Sequence, residues 1–255
     1  MEVHKPKPVH GWRELLTEIG VIVIGVMIAL AAEQVVESWR LHRQSEENER
    51  AFRTDLREDV LNAEERIALR PCVAQRLQEL AAKLNAGSSW SANPQQFAGR
   101  NPDTRLTLPE TLHTPSREWP MSSWETGLHS EAIRLLPEPR RLSYEYAFTQ
   151  VGDAAAAQNA QASAERALTP LSYAIELTPE LRAHYLDELG EVDHQEEAIQ
   201  LFAEQMTEAA RDLDALPDPK LLADLIRFQR GYRGACVRAV KLPSPRSHGD
   251  VRSPP

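Results

Sequence analysis

The sequence predicts an all-α chain in which an N-terminal transmembrane helix continues into a soluble antiparallel helical bundle. Three observations carry that prediction. Fourteen uncharged residues, Ile19 to Ala32, stand between Glu18 and Glu33 near the start of a chain that is 26% charged. Glycine is scarce, 11 in 255 residues, while Ala, Leu, Glu, Arg and Gln abound, which favours helix over strand. Downstream, apolar residues recur at three- and four-residue steps, the helical period. The chain then divides into a cytoplasmic segment (1–14), a transmembrane helix (15–36), a bundle (37–241) that contains a long irregular loop (88–120), and a disordered tail (242–255).

Fourteen helical residues rise about 21 Å, short of the roughly 30 Å hydrocarbon layer. Extension from Leu15 to Val36 gives about 33 Å and leaves Glu18 and Glu33 near the two boundaries, where a carboxylate is tolerated. Trp12 and Trp39 lie about 40 Å apart along such a helix, the spacing of two interfacial aromatic belts, and are read as membrane-interface anchors. Two other readings compete. Lys5, Lys7 and Arg13 before an apolar run, with Ala29-Leu30-Ala31 after it, also fit a signal peptide, and a run of this length also fits a buried core helix. Glu14 and Glu18 interrupt the signal pattern, and the helical period continues through Val35, Val36 and Trp39, so the anchor is preferred. A short basic N-terminus before a first span stays cytoplasmic, which puts the main domain in the periplasm of an inner-membrane protein.

At 100° per residue Glu14, Glu18, Val21, Gly25, Ala29, Ala32 and Val36 share one face of the span, with Glu33 at its edge. Gly25 and Ala29 form a small-xxx-small pair that lets two backbones approach closely, and a carboxylate on the same seam gains from a partner. The expected helix-pairing face is therefore Glu18, Gly25, Ala29, Ala32 and Glu33. The plainer alternative is small residues that merely tolerate lipid.

The text from His10-Gly-Trp-Arg-Glu-Leu-Leu through Gly25-Val-Met-Ile-Ala-Leu-Ala-Ala-Glu-Gln34 resembles the start of a group of uncharacterised bacterial single-span membrane proteins. Ser123-Trp-Glu-Thr leading to Ala132-Ile-Arg-Leu-Leu-Pro137 is similar to a recurring element of that group. The resemblance covers under a fifth of the chain. It implies a membrane-anchored helical domain and brings no activity, cofactor or catalytic residue.

Phe52, Leu56, Val60, Ala63 and Ile67 make an amphipathic helix that continues the span outward. Pro71 is expected to kink or end it, with a second helix over 72–86 carrying Val73, Leu77, Leu80 and Leu84. The 88–120 stretch holds Pro94, Pro102, Pro109, Pro115 and Pro120 without a sustained period and reads as a loop, pinned by Trp90 and Trp119. Ser122 is expected to cap a helix running to Leu136. Pro139 opens another with Tyr144, Phe148, Val151 and Ala155 on one face, followed by Ala/Gln-rich text suited to close packing. Thr169-Pro170, Thr178-Pro179 and Asp218-Pro219 read as cap and first turn. The helix after Pro179 aligns Tyr185, Leu189, Val192, Ile199, Phe202, Met206 and Leu213. The last helix is expected to turn Leu221, Leu225, Phe228 and Tyr232 inward, with Cys236 continuing its apolar face.

A net charge of −9 argues against nucleic acid as a partner, which would require a basic face. The two cysteines, Cys72 and Cys236, are too few and too distant for a zinc ribbon or redox motif; they form either a possible disulfide in an oxidising compartment or two buried thiols. Two Glu-x-x-His pairs occur, Glu110 with His113 and Glu191 with His194. A di-iron bundle uses such pairs, but the first lies among prolines and the second, beside Glu196 and Glu197, reads as a solvated face. Nucleophile elbows, phosphate-binding glycine loops and zinc helices are absent. The expectation is a chain that is not an enzyme and holds no cofactor or metal. It would bind, with the lipid bilayer and either a homo-oligomer or another envelope protein as partners. The alternatives are a periplasmic ligand-sensing domain with a pocket under the 88–120 loop, and a metal-dependent enzyme.

Overall fold

The computed structural model describes residues 11–87, 89–90, 114–172 and 175–244. Its spine is one helix, α1 (Trp12–Asn85), 74 residues and about 110 Å long. Against its outer part pack α2 (Ser122–Leu128), a 3-10 helix (Glu131–Leu135), α3 (Glu138–Ala167), α4 (Pro179–Asp212) and α5 (Pro219–Arg233). A two-residue antiparallel pairing of β1 (Ser89–Trp90) with β2 (Ile175–Glu176) is the only sheet among the described residues. The architecture is all-α, with one long apolar N-terminal helix, as the period and composition require.

Cross-links between elements set directions. Arg66 meets Glu196 and Glu64 meets Thr207, so α4 runs antiparallel to α1. Glu49 meets Arg140 and Arg66 meets Gln161, so α3 runs parallel to it. Caps explain the starts: Thr178 Oγ1 accepts from Leu181 N at 3.2 Å and Asp218 Oδ1 from Lys220 N at 2.8 Å, each ahead of a first-turn proline. Thr169-Pro170 opens only a short 3-10 helix, Thr169–Ser172.

Three buried clusters share α1. The innermost joins Phe52, Leu56, Val60 and Ala63 to Trp124, Tyr144, Phe148, Val151 and Met206. The outermost gathers Val73, Leu77, Leu80 and Leu84 with Trp90, Leu168, Leu171, Tyr185, Leu189 and Val192. A third sets Ala68 and Leu69 against Leu222, Ile226 and Val237. In the first, Phe52 lies edge-on to Trp124 at 5.3 Å and to Tyr144 at 5.4 Å. A Cβ on Gly127 would overlap the Phe52 ring. Gly127→Ala is accordingly expected to destabilise by about 1–3 kcal/mol through overpacking, read by thermal melting; an unchanged midpoint would refute this contact.

Several expectations are corrected. Pro71 neither ends α1 nor separates a second helix, and Cys72 sits inside α1. Pro71 itself is exposed, while Leu69 and Val73 on either side are buried, so tertiary packing outweighs the roughly 3 kcal/mol that an interior proline costs. The helix at Ser122, whose cap position is Met121, stops at Leu128; Ser130 then caps the 3-10 helix by accepting from Ala132 N at 3.2 Å. In α3 the buried alanine beside Val151 is Ala154, with Ala155 half-buried, and in α4 Phe202 is half-buried. The α5 face is rotated: Leu222, Ile226 and Gln229 are buried, whereas Leu221, Phe228 and Tyr232 are exposed. Gln229 explains the rotation, because its Nε2 donates to the buried Glu65 at 2.6 Å. Cys236 lies past α5, beyond the left-handed turn at Gly234. Leu242, placed at the head of a disordered tail, packs against the core. The rest of that tail, 245–255, lies outside the described residues, as do residues 1–10 and 91–113 of the N-terminal segment and the long loop.

Candidate functional site

From Leu15 to Val36 every large apolar side chain on α1 is exposed, among them Val21, Ile22, Ile24, Met27 and Ile28. This helix is long and apolar enough to cross a membrane, and none of its apolar window is buried against the rest of the chain. A contiguous exposed apolar surface of this extent marks a membrane or protein contact. Trp12 and Trp39 flank it, 73% and 65% exposed, on the same unbroken helix. Glu18, Gly25, Ala29, Ala32 and Glu33 are all exposed as well, and a Cβ on Gly25 would touch nothing within 4 Å. The fold thus leaves the expected pairing face open.

Past Trp39, α1 is a charged rod held by pairs one turn apart: Arg40–Glu37 at 2.6 Å, Arg43–Glu47 at 3.2 Å and Arg50–Glu46 at 3.5 Å. Exposed pairs of this kind, weakened by solvent screening, favour the helix only locally. The 3-10 helix lies beside this stretch. Its Leu135 and the α1 residues Leu30, Glu33, Gln34, Glu37, Ser38, Leu41 and His42 line an open groove of about 560 Å³.

Further out, from Asp59 to Arg70, no residue of α1 is exposed, and the polar residues there are enclosed with the apolar ones. Arg66, 2% exposed, donates from Nη2 to Gln161 Oε1 at 2.5 Å and to Glu196 Oε1 at 2.7 Å, and from Nη1 to the Pro115 carbonyl at 3.2 Å. Glu196 also accepts from Gln161 Nε2 at 2.6 Å. Glu65, fully buried, takes both forks of Arg117 at 2.6 and 2.7 Å together with Gln229. Asn62 Nδ2 donates to the Glu118 carbonyl at 3.0 Å. These bonds strap the 114–120 segment to α1, which Gln161 and Gln229 in turn tie to α3 and α5, and Trp119 within the segment packs on the core. Trp90 is pinned too: its Nε1 donates to the Leu171 carbonyl at 2.7 Å, and Lys83 sits over its ring.

Three carboxyls near this layer are held above their usual range. Asp59, fully buried, has no hydrogen-bond partner for either oxygen among the described residues. Desolvation, with smaller contributions from Asp55 and Glu58, pushes it up to about 9. Burial raises Glu165 to about 7, against the lowering effect of its bond from Thr114. Glu64 is raised by the same cause, partly offset by Thr207. A carboxyl near 9 is neutral at physiological pH, so Asp59 is a titratable group in the spine of the bundle. Neither the groove at Leu135 nor a second open groove on α5, at Phe228 and Tyr232, reaches it.

Cys72 and Cys236 are joined in a disulfide, their Cα atoms 4.9 Å apart. Of the two Glu-x-x-His pairs, Glu191 and His194 are exposed on α4, with Glu191 bonded to Gln195, and Glu110 with His113 lies outside the described residues. Among the described residues no group of three His, Cys, Asp or Glu side chains could hold a metal ion.

Glu191 and His194 lie on a solvated face, but Glu196 beside them is 2% exposed and paired with Arg66. Asp59, Glu65 and Arg117 carry no motif that marks them in the sequence. The usable signal is slight: Asp59, Asn62, Glu64, Glu65 and Arg66 leave only a narrow apolar stripe at Val60 and Ala63, and the Ala/Gln-rich text of α3, which supplies Gln161, marks close packing. No protein-family model, curated protein or solved structure matches this chain.

Proposed function

We propose that the chain is a single-pass protein of the bacterial inner membrane that acts by binding, as a scaffold in the envelope. In this reading its N-terminus is cytoplasmic, its bundle is periplasmic, and a second copy pairs with it through the span. One observation carries the reading: a single unbroken helix is bare and apolar over its N-terminal part and is the enclosed spine of a bundle over the rest. A cleaved signal peptide would not share a helix with the core it delivers. The Cys72–Cys236 bridge supports an oxidising compartment, and the resemblance of the N-terminal text to single-span bacterial proteins supports the anchor. A sequence without nucleophile elbow, phosphate-binding glycine loop or zinc helix, and the solvated setting of Glu191 and His194, favour binding over catalysis.

Topology is tested by fusing reporters active only in the periplasm or only in the cytoplasm after Pro255, and by sequencing the N-terminus of membrane-extracted protein. A periplasm-active fusion with an uncleaved N-terminus is expected. A mature chain starting after Ala31 would overturn the anchor, and a cytoplasm-active fusion the orientation. Pairing is tested with Gly25→Leu in a membrane dimerisation reporter. The bulky side chain is expected to lower dimer affinity about fivefold or more, the scale of 1 kcal/mol of lost helix packing. An unchanged signal would sink the seam.

A further inference from the structure

The groove beside Leu135 occupies a height that α1 itself sets. Leu30, Glu33 and Gln34 lie within the 15–36 stretch, and Glu37, Ser38, Leu41 and His42 lie beyond it. If α1 spans, as proposed above, these twelve residues of rise, about 18 Å, run from acyl-chain depth through the head-group layer. Leu30 is at the inner end, and the polar residues Glu33, Gln34, Glu37, Ser38 and His42 lie outward of it, with Leu41 among them. The exposed Leu135 projects from the bundle to form the opposite wall. At about 560 Å³ the groove falls within the roughly 300–1,000 Å³ of ordinary ligand clefts. It is continuous with the lipid-facing surface of the span, so its inner end opens into the bilayer and not into water.

Charge selects the occupant. Glu37 is engaged by Arg40, but Glu33 has no hydrogen-bond or ion-pair partner among the described residues. A carboxylate at a hydrocarbon boundary is tolerated and gains from a counter-charge. An anionic head group would be repelled by the unpaired Glu33, whereas a primary ammonium meets it and can share Glu37 with Arg40. We infer that this groove seats one amine-bearing phospholipid of the leaflet that α1 leaves, with an acyl chain along Leu30 and Leu135 and the ammonium against Glu33 and Glu37. The bundle then rests on the membrane instead of standing off from it on the charged rod.

The test uses the full chain in vesicles of phosphatidylethanolamine and phosphatidylglycerol, with one lipid at a time carrying brominated acyl chains. An environment-sensitive fluorophore is placed by Arg134→Cys beside the groove, by Val26→Cys within the span, or by Leu201→Cys on exposed α4. The native cysteines are bridged and do not react. Quenching at 26 reads the span alone. Quenching at 134 is expected well above that at 201, and about two- to fivefold stronger with brominated phosphatidylethanolamine than with brominated phosphatidylglycerol, the range of an interfacial ion pair. Glu33→Gln with Glu37→Gln should abolish that preference while leaving quenching at 26 unchanged. Quenching at 26 with none at 134 overturns the lipid seat and spares the span. Equal quenching at 134 by both lipids overturns the amine-bearing occupant. Absence of quenching at 26 overturns the span and the seat together.

Discussion

Reduction of the Cys72–Cys236 bridge is expected to lower the stability of the bundle by about 5 kcal/mol, the chain-entropy value for closing a loop with a sequence separation of 164. The bridge ties α1 to the turn after α5, where few other contacts act. Arg238 N donates to the Ala68 carbonyl at 2.8 Å, and Val237 fills the small third cluster with Leu222 and Ile226. Without the bridge, α5 keeps those contacts and the Gln229–Glu65 bond, but its chain end is freed from α1. At about 2–4 °C per kcal/mol for a domain of this size, the melting midpoint should fall by roughly 10–20 °C on adding reductant. Cys72→Ser with Cys236→Ser should melt at the reduced value with or without reductant. A wild-type midpoint indifferent to reductant would show that the bridge does not constrain the fold.

Asp59 predicts that the protein is more stable in mild acid than in mild base. The folded-state value, pushed up to about 9, stands above the ordinary 3.8, so between those limits the folded state holds a proton that the unfolded chain has released. Stability therefore falls as pH rises through that window, by about 1.4 kcal/mol per unit where the difference is complete. Glu165, raised to about 7 from 4.5, adds to the fall below pH 7, and Glu64 acts in the same direction. Asp59→Asn keeps the shape of the neutral acid and cannot ionise. Its advantage over the wild type should grow by on the order of 4 kcal/mol between pH 5 and pH 8, read from denaturant unfolding at both values. Parallel pH profiles for the two proteins would mean that Asp59 ionises freely in the fold.

The two effects differ in what the linear chain disclosed. The cysteine pair could be weighed because only two were present, although bridge and free thiols stayed equally open until the fold brought residue 236 to residue 72. Asp59 could not be weighed at all. It follows Glu58 in a run that reads Arg-Glu-Asp, and nothing local separates it from the solvated charges around it. The α5 helix shows the same limit: its start and period were legible, but Leu221, Phe228 and Tyr232 form as good an apolar stripe as Leu222 and Ile226. Which stripe turned inward depended on Gln229 reaching Glu65 across the bundle.

Helix starts, the all-α class and the bare apolar stretch of α1 follow from interactions within a few residues: caps, first-turn prolines, the 3.6-residue period and the unbroken run between Glu18 and Glu33. These are present in the chain before it folds. The passage of α1 through Pro71, the burial of Asp59, Glu65, Arg66 and Glu196, and the groove beside Leu135 come from enclosure by segments 56 to 164 residues away. Burial is a property of what surrounds a side chain, so a polar residue acquires its partner, or lacks one, only when the distant helices close around it.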